Sequence, residues 1–381
     1  MNRVPALFLL AASAAMRTLA AEETAPAAER FRPQFEFDQH DEALQLADFQ
    51  FVSAQRGIAV GYRASARRNP EPVSLLTADG GKTWNFLKLP TNPYSVFFLD
   101  ETVGWLVGEG GVYRTDEAGR SWKRLSKPRN VQRVLFVSPD RGWGYGTDKT
   151  VVQSSDGGQT WKPVEAAGQL PGKPEHSAFL SAASVDPSKV LIAGASRPPR
   201  APERRRGRPP DPEEEMMMPE WPGLSLFLQT TDGGASWKHE AVSLFGLVQR
   251  IRYNAKGEGV WLLRFLRRFS VPSEVVRLDL GKKGESIFGQ KDRAITDVAM
   301  MADGSTYLAG YQPSGSVASL PVPGKVKVLR NTAGSPKIWK EIPVHYRAVA
   351  RQVLLSVVEP DQVWIATDNG MILKLQPAAS Q

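Results

Sequence analysis

The sequence predicts an all-β protein, a seven-bladed β-propeller closed by an N-terminal strand that completes the last blade. Three observations predict it. An eight-residue phrase, Thr77-Ala78-Asp79-Gly80-Gly81-Lys82-Thr83-Trp84, returns as Ser154 to Trp161 and as Thr230 to Trp237. A looser copy, Thr115 to Trp122, carries Glu117 in place of the aspartate. The phrase tryptophans, Trp84, Trp122, Trp161 and Trp237, stand 38, 39 and 76 residues apart, a period of roughly one unit per forty residues. Between the phrases one order repeats: an apolar strand, a polar turn, a Gly-Trp strand of small residues, a third strand, the phrase, and a fourth strand. Strand units at such a period mean blades around a ring.

Unit one starts at Leu46 to Val52 and continues with Ile58 to Tyr62. Unit two reads Tyr94 to Leu99, the turn Asp100-Glu101, then Trp105 to Gly108, Val112 to Thr115 and Trp122 to Leu125. Unit three reads Val131 to Val137, Trp143 to Gly146, Thr150 to Ser154 and Trp161 to Val164. Unit four has Ser177 to Ala183, Val190 to Gly194 and Leu224 to Thr230. Unit five has Leu247 to Tyr253, Val260 to Phe265 and Glu274 to Leu280. Unit six has Ala294 to Met301, Thr306 to Gly310, Lys325 to Arg330 and Ile338 to Ile342. Unit seven has only Val353 to Val358, Val363 to Ala366 and Met371 to Leu375. The segment Phe31 to Phe37 alternates apolar and polar residues, as a half-buried strand should. It is predicted to be the missing outer strand of unit seven, which leaves the ring no open end.

Composition sets the class. Of 381 residues, 41% are hydrophobic and ten are Trp, which suits a packed globular chain. The net charge is +8, a modest excess whose location matters more than its size. Met1 to Ala21 reads as a secretory signal, with Arg3 ahead of an alanine-rich apolar run and small residues near Ala20. A short N-terminal anchor is the alternative. Cysteine is absent, so disulfides and thiolate metal sites are excluded. The expectation is a periplasmic or secreted protein, one propeller domain over residues 31–377. Within unit four, residues 196–222 hold eight Pro, six Arg and Met216-Met217-Met218, and are expected to form a disordered insertion.

The repeated phrase suits a hairpin turn. Paired glycines supply positive φ, and the aspartate and the Ser or Thr hydroxyls accept backbone N–H groups. Asp79, Trp84, Glu117, Trp122, Asp156, Trp161, Asp232 and Trp237 are therefore read as structural. The substitution at Glu117 fits that reading, since a longer acid loosens a turn but ruins a catalyst. The phrase resembles the Asp-box, or bacterial neuraminidase, repeat. Two families carry it: six-bladed sialidases, and seven-bladed photosystem II stability/assembly factor propellers. The longer unit, as in Phe98 to Gly108 followed by Val112 to Thr115, looks more like the second. That resemblance implies an exported protein that binds membrane-protein subunits during assembly.

Catalysis finds little purchase. Glycoside cleavage needs two acidic or phenolic groups across one bond, and only Phe31-Arg32-Pro33 and Tyr346-Arg347 hint at a sialidase set. His40, His176, His239 and His345 have no metal-binding spacing. Neither a metal nor a cofactor is expected. Sorting loop charges by face gives a sharper expectation. Loops between strands two and three, and between units, share one face. They carry Arg63, Arg67, Arg68, Lys127, Arg129, Arg264, Arg267, Arg268 and Arg293, together with the basic half of the insertion. The opposite face carries the Asp phrases and Asp100, Glu101, Asp140, Asp186, Glu258, Asp303, Glu359 and Asp361. The basic face is expected to meet an acidic partner, either an envelope or inner-membrane protein or an anionic membrane surface. Solubility alone is the alternative for these arginines. Nucleic acid is not expected, because aromatic and basic residues do not interleave. The expected function is a non-catalytic binding or assembly factor, with a sialidase-type hydrolase as the alternative.

Overall fold

The structure, a computed structural model, describes residues 28–39, 41–65, 68–197, 222–265, 271–279, 282–314, 316–317 and 320–378. The expected leader over Met1 to Ala21 and nearly all of the 196–222 insertion lie outside these residues.

Seven antiparallel sheets of four or five strands follow one another along the chain, and a two-stranded pair, Ser316–Val317 with Leu320–Pro321, lies within the sixth unit. In blades one to six the strands are used in chain order from the axis outward. The innermost strands are Glu42–Phe51, Pro93–Phe98, Val131–Phe136, Ser177–Asp186, Leu247–Tyr253, Ala294–Met300 and Val353–Glu359. Each touches the next in an unbroken circuit, and that of blade seven touches that of blade one. The ring is closed as the sequence predicts. Arg30–Glu36 pairs antiparallel with Met371–Gln376, placing Phe35 opposite Ile372. Phe31 is fully buried between blades six and seven, and its backbone bonds Pro343 and His345. Blade three departs from expectation. Its outer strand shrinks to Lys162–Pro163, and a short helix, Glu165–Gln169, follows.

Aromatic stacks hold neighbouring blades together. In blades two and seven the second strand begins Gly104-Trp105 and Gln362-Val363-Trp364. Trp105 lies flat on Phe136 of blade three at 3.7 Å, and Trp364 lies flat on Phe51 of blade one at 3.8 Å. Both indoles are fully buried, and truncating such a ring costs about 3–5 kcal/mol. Room for each phenylalanine comes from a glycine in its own blade. A Cβ on Gly57 would meet the Phe51 ring at 2.6 Å, and one on Gly142 would meet the Phe136 ring at 2.5 Å. The Gly-Trp pairs are thus halves of two different contacts: the glycine serves its own blade and the tryptophan serves the next.

The innermost strands share an irregularity that matters below. In blades one to six their register against the second strand slips by one residue, just ahead of Asp48, Ser95, Arg133, Ser181, Arg250 and Asp297. A bulge re-aims the side chain beside it. Here it places six polar residues at equivalent levels around the axis.

Candidate functional site

The repeated phrase folds as a self-contained turn. Thr77 Oγ1 accepts the Gly81 N–H at 2.9 Å and donates to Asp79 at 2.8 Å. Asp79 in turn accepts the Thr83 N–H at 2.9 Å and the Thr83 hydroxyl at 2.6 Å. Gly80 and Gly81 sit at φ of 75° and 92°, where a side chain is strained. The Trp84 indole closes the loop on the Gly81 carbonyl at 3.1 Å. Asp156 and Asp232 repeat the pattern through Thr160 and Ser236. These bonds to Thr83, Thr160 and Ser236 lower all three carboxyls from 3.8 to about 2. Glu117 keeps the Ser121 hydroxyl at 2.7 Å, but no backbone N–H bond to its carboxylate is present among the described residues. The Trp122 indole N–H has no partner among the described residues. Every acid of the phrase is held by its own turn.

The same holds for much of that face. Asp100 accepts the Thr102 and Val103 N–H groups, Asp186 those of Ser188 and Lys189, and Asp303 that of Ser305. Glu101 pairs with Arg56 and Glu258 with Arg277. The face assignment itself is borne out by backbone bonds: Gly80 to Gln55, Ala118 to Thr102, Gly157 to Asp140 and Gly233 to Ser188 each tie a phrase turn to a turn between strands one and two.

The expected basic face is less uniform than its sequence. Arg63 is bound by Glu42 and Glu71, and Arg293 by Asp292 and Glu341. Lys127 and Arg129 are exposed, and Arg264 half-buried, with no ion pair among the described residues. Arg67, Arg267 and Arg268 lie outside the described residues, and so does the Arg68 side chain. Tyr346 is exposed on the link between blades six and seven, and Arg347 pairs with Glu36 on the closing strand. They do not join the axis.

The charge that the structure does concentrate is on the axis, beside the bulges. Arg133 of blade three meets Asp48 of blade one at 3.2 Å. Arg250 and Arg252 of blade five both reach Asp297 of blade six, at 3.4 and 3.5 Å. Tyr145 of blade three stands among these arginines. The carboxylates also serve as staples. Asp48 accepts the Val96 N–H of blade two at 3.1 Å, and Asp297 accepts the Leu355 N–H of blade seven at 3.1 Å. Three guanidinium groups therefore face two carboxylates that are already hydrogen-bonded, leaving one positive charge in excess. Burial pushes Arg250 down, repulsion from Arg133 adds to it, and Asp297 opposes it. Burial also works against the Arg133 charge, but the attraction of Asp48 and its neighbours wins and holds it above its ordinary range. The Tyr145 phenol is pushed up by burial, and the nearby arginines offset only part of that. The Arg252 side chain keeps 37% exposure, so the cluster is open to a ligand. Arg133 lies near the start of its innermost strand, toward the face with Lys127 and Arg129; Arg250 and Asp297 lie mid-strand, and Asp48 and Arg252 lie in the second half of theirs. Among the described residues no group of three or more His, Asp or Glu is arranged to hold a metal ion. No described helix is long and apolar enough to cross a membrane.

No protein-family model matches the chain, and no curated protein matches it in sequence. Solved structures match it in fold. YCF48 bound to a D1 peptide is 14% identical with a TM-score of 0.57, over 94% of this chain and all of that one. YCF48 from Cyanidioschyzon merolae is 14% identical with a TM-score of 0.57, over 91% of this chain and 98% of that one. An ancestral GH74 enzyme is 13% identical with a TM-score of 0.51, over 75% of this chain but 38% of the enzyme. At such identities the likeness is one of fold, and the fold hosts both a peptide-bound protein and an enzyme.

Proposed function

We propose that this chain is an exported, non-catalytic propeller that holds an acidic segment of an envelope or membrane-embedded protein against one mouth of its axis, as a binding or assembly factor. The observation that carries this reading is the uncompensated guanidinium charge of Arg133, Arg250 and Arg252. Guanidinium groups give planar, paired hydrogen bonds to carboxylates, which suits capture of an acidic side chain or chain end. Lys127, Arg129 and Arg264 extend the field around the mouth and favour encounter with a negative partner. The fold shared with YCF48, one structure of which holds a D1 peptide, and the Asp-box units that resemble assembly-factor propellers both support a binding role. Export is proposed from the apolar leader.

Glycoside cleavage is disfavoured by the same geometry. Its acid and base must be free to exchange protons, whereas Asp48 and Asp297 are committed to backbone N–H groups and arginines. A phenol pushed up by burial, as Tyr145 is, makes a poor nucleophile.

The test is crosslinked affinity capture from the native envelope with wild-type protein and with Arg252→Glu. Capture of a defined partner should fall by about tenfold or more in the variant while the melting temperature holds. Equal capture by a folded variant contradicts the reading, and robust turnover of sialosides by the wild type replaces it with the hydrolase.

A further inference from the structure

Blades one and two enclose a half-open cavity of about 480 Å³ on the face of the phrase turns, away from the axial arginines. Its walls include Val52, Ile58, Leu76, Phe86 and Phe98, and Ala118 and Arg120 border it. The repeat explains why it is there. At the seven–one and two–three interfaces a tryptophan, Trp364 or Trp105, stands near the start of the second strand. Its ring lies on a phenylalanine of the next blade, Phe51 or Phe136. Its indole N–H donates to the fourth residue of the next phrase: Trp364 to the Gly80 carbonyl at 3.2 Å, Trp105 to the Gly157 carbonyl at 2.8 Å.

At the one–two interface the same position is Ile58. The phenylalanine is still there, as Phe98, and so is the turn carbonyl, on Ala118, for which no donor is present among the described residues. Ile58 and Phe98 form the floor, 3% and 5% exposed, while Phe86 stands 39% exposed on the wall. At the four–five interface, where Leu191 holds the position, Phe227 and Trp261 stack on each other beside it. Blades one and two thus keep the acceptor and the aromatic floor of the stacked indole, with Trp122 edge-on to Phe98 at 6.0 Å but no indole among the described residues lying flat on it.

We infer that this cavity is a docking site for a tryptophan side chain of a partner polypeptide, flanked by an acidic residue. The indole lies over the apolar floor and its N–H reaches toward the Ala118 carbonyl. The acidic neighbour follows from charge. At the rim Arg56 is paired with Glu101 at 3.5 Å, whereas Arg120 is exposed with no ion pair among the described residues. The site is separate from the axial cluster and stands whether or not that cluster binds a partner. It gives the ring a second point of attachment on its opposite face, and two modest contacts on one partner reinforce each other.

The experiment uses the protein with a pentapeptide carrying 5-fluorotryptophan next to aspartate, read by fluorine NMR. Wild type should give a saturable shift at peptide concentrations up to about 1 mM. Ile58→Trp supplies the missing indole from within. It should melt no lower than wild type and bind the peptide at least about tenfold more weakly. Arg120→Glu, which touches only the rim, should bind a lysine-for-aspartate peptide better than the original. Arg252→Glu should leave peptide binding unchanged. The proposal is overturned if wild type shows no saturable shift, or if Ile58→Trp binds as wild type does. It is equally overturned if Ile58→Trp does not fold and Arg120→Glu leaves the peptide preference unchanged.

Discussion

The turn face and the axis of the ring handle charge in opposite ways. On the face of the phrase turns, acids are plentiful, and most are held by a backbone N–H, a hydroxyl or an arginine within their own turn or the neighbouring one, while Asp140, Glu359 and Asp361 have no such bond among the described residues. On the axis, three arginines meet over two carboxylates that already bind backbone N–H groups of adjacent blades. A residue's formal charge is the same in both places. What differs is whether the fold answers it locally. Acids that cap turns shape the loop and offer a partner little, whereas guanidinium groups in excess on an axis remain available.

That contrast can be strained by substitution, beginning with the frame both depend on. Trp364→Ala should lower unfolding free energy by about 3–5 kcal/mol, measured by urea denaturation, because it empties the seam where the ring closes. On the axis, Asp297→Ala leaves Arg250 and Arg252 without their shared partner and the Leu355 N–H without an acceptor. A loss of about 3 kcal/mol is expected in the same assay. Replacing Arg250 with Met instead, which removes a partly buried charge and keeps the volume, should change stability by less than about 1 kcal/mol. On the turn face, Asp79→Ala should cost about 1 kcal/mol, and Glu117→Ala less, because Glu117 lacks the backbone bond.

Acid sharpens the same contrast. The carboxyls of Asp79, Asp156 and Asp232 sit at about 2 when folded, below 3.8, so the stability they add is complete above pH about 4 and fades as pH falls toward 2. A variant with Asn at all three positions should show a flatter stability profile across that window. The smallest effect belongs to Lys127→Ser, which should leave melting unchanged within about 0.5 kcal/mol while lowering partner capture.

Much of the fold was legible because alternation and turn chemistry agree. The innermost strand of blade five is Leu247–Tyr253, as read, and Phe31 to Phe37 closes the ring where the short seventh unit requires it. Blade three's outer strand was harder. Pro163 ends it early, and Glu165-Ala166-Ala167 turns into helix, a local preference that the repeat masked. The axial arginines were missed for a different reason. Arg133, Arg250 and Arg252 look like ordinary polar residues on half-exposed strands, and which of them faces the axis depends on a one-residue bulge. One signal was present: aligned by unit, Asp48, Ser95, Arg133, Ser181, Arg250 and Asp297 fall at the same place in otherwise apolar strands. The loop arginines were visible, but their partners were not. Arg63 and Arg293 are paired with acids that sequence distance conceals, such as Glu341.

The central claim is that a partner reaches the axial arginines from the face that carries Lys127 and Arg129. A photo-crosslinking residue placed at exposed Lys127 on that face, and separately at exposed Ala302 on the turn face of blade six, tests it in the native envelope. Adducts to one defined protein at position 127, lost when Arg252→Glu is added, and none at 302, are expected. Adducts to that protein at 302 and not at 127 would contradict the account.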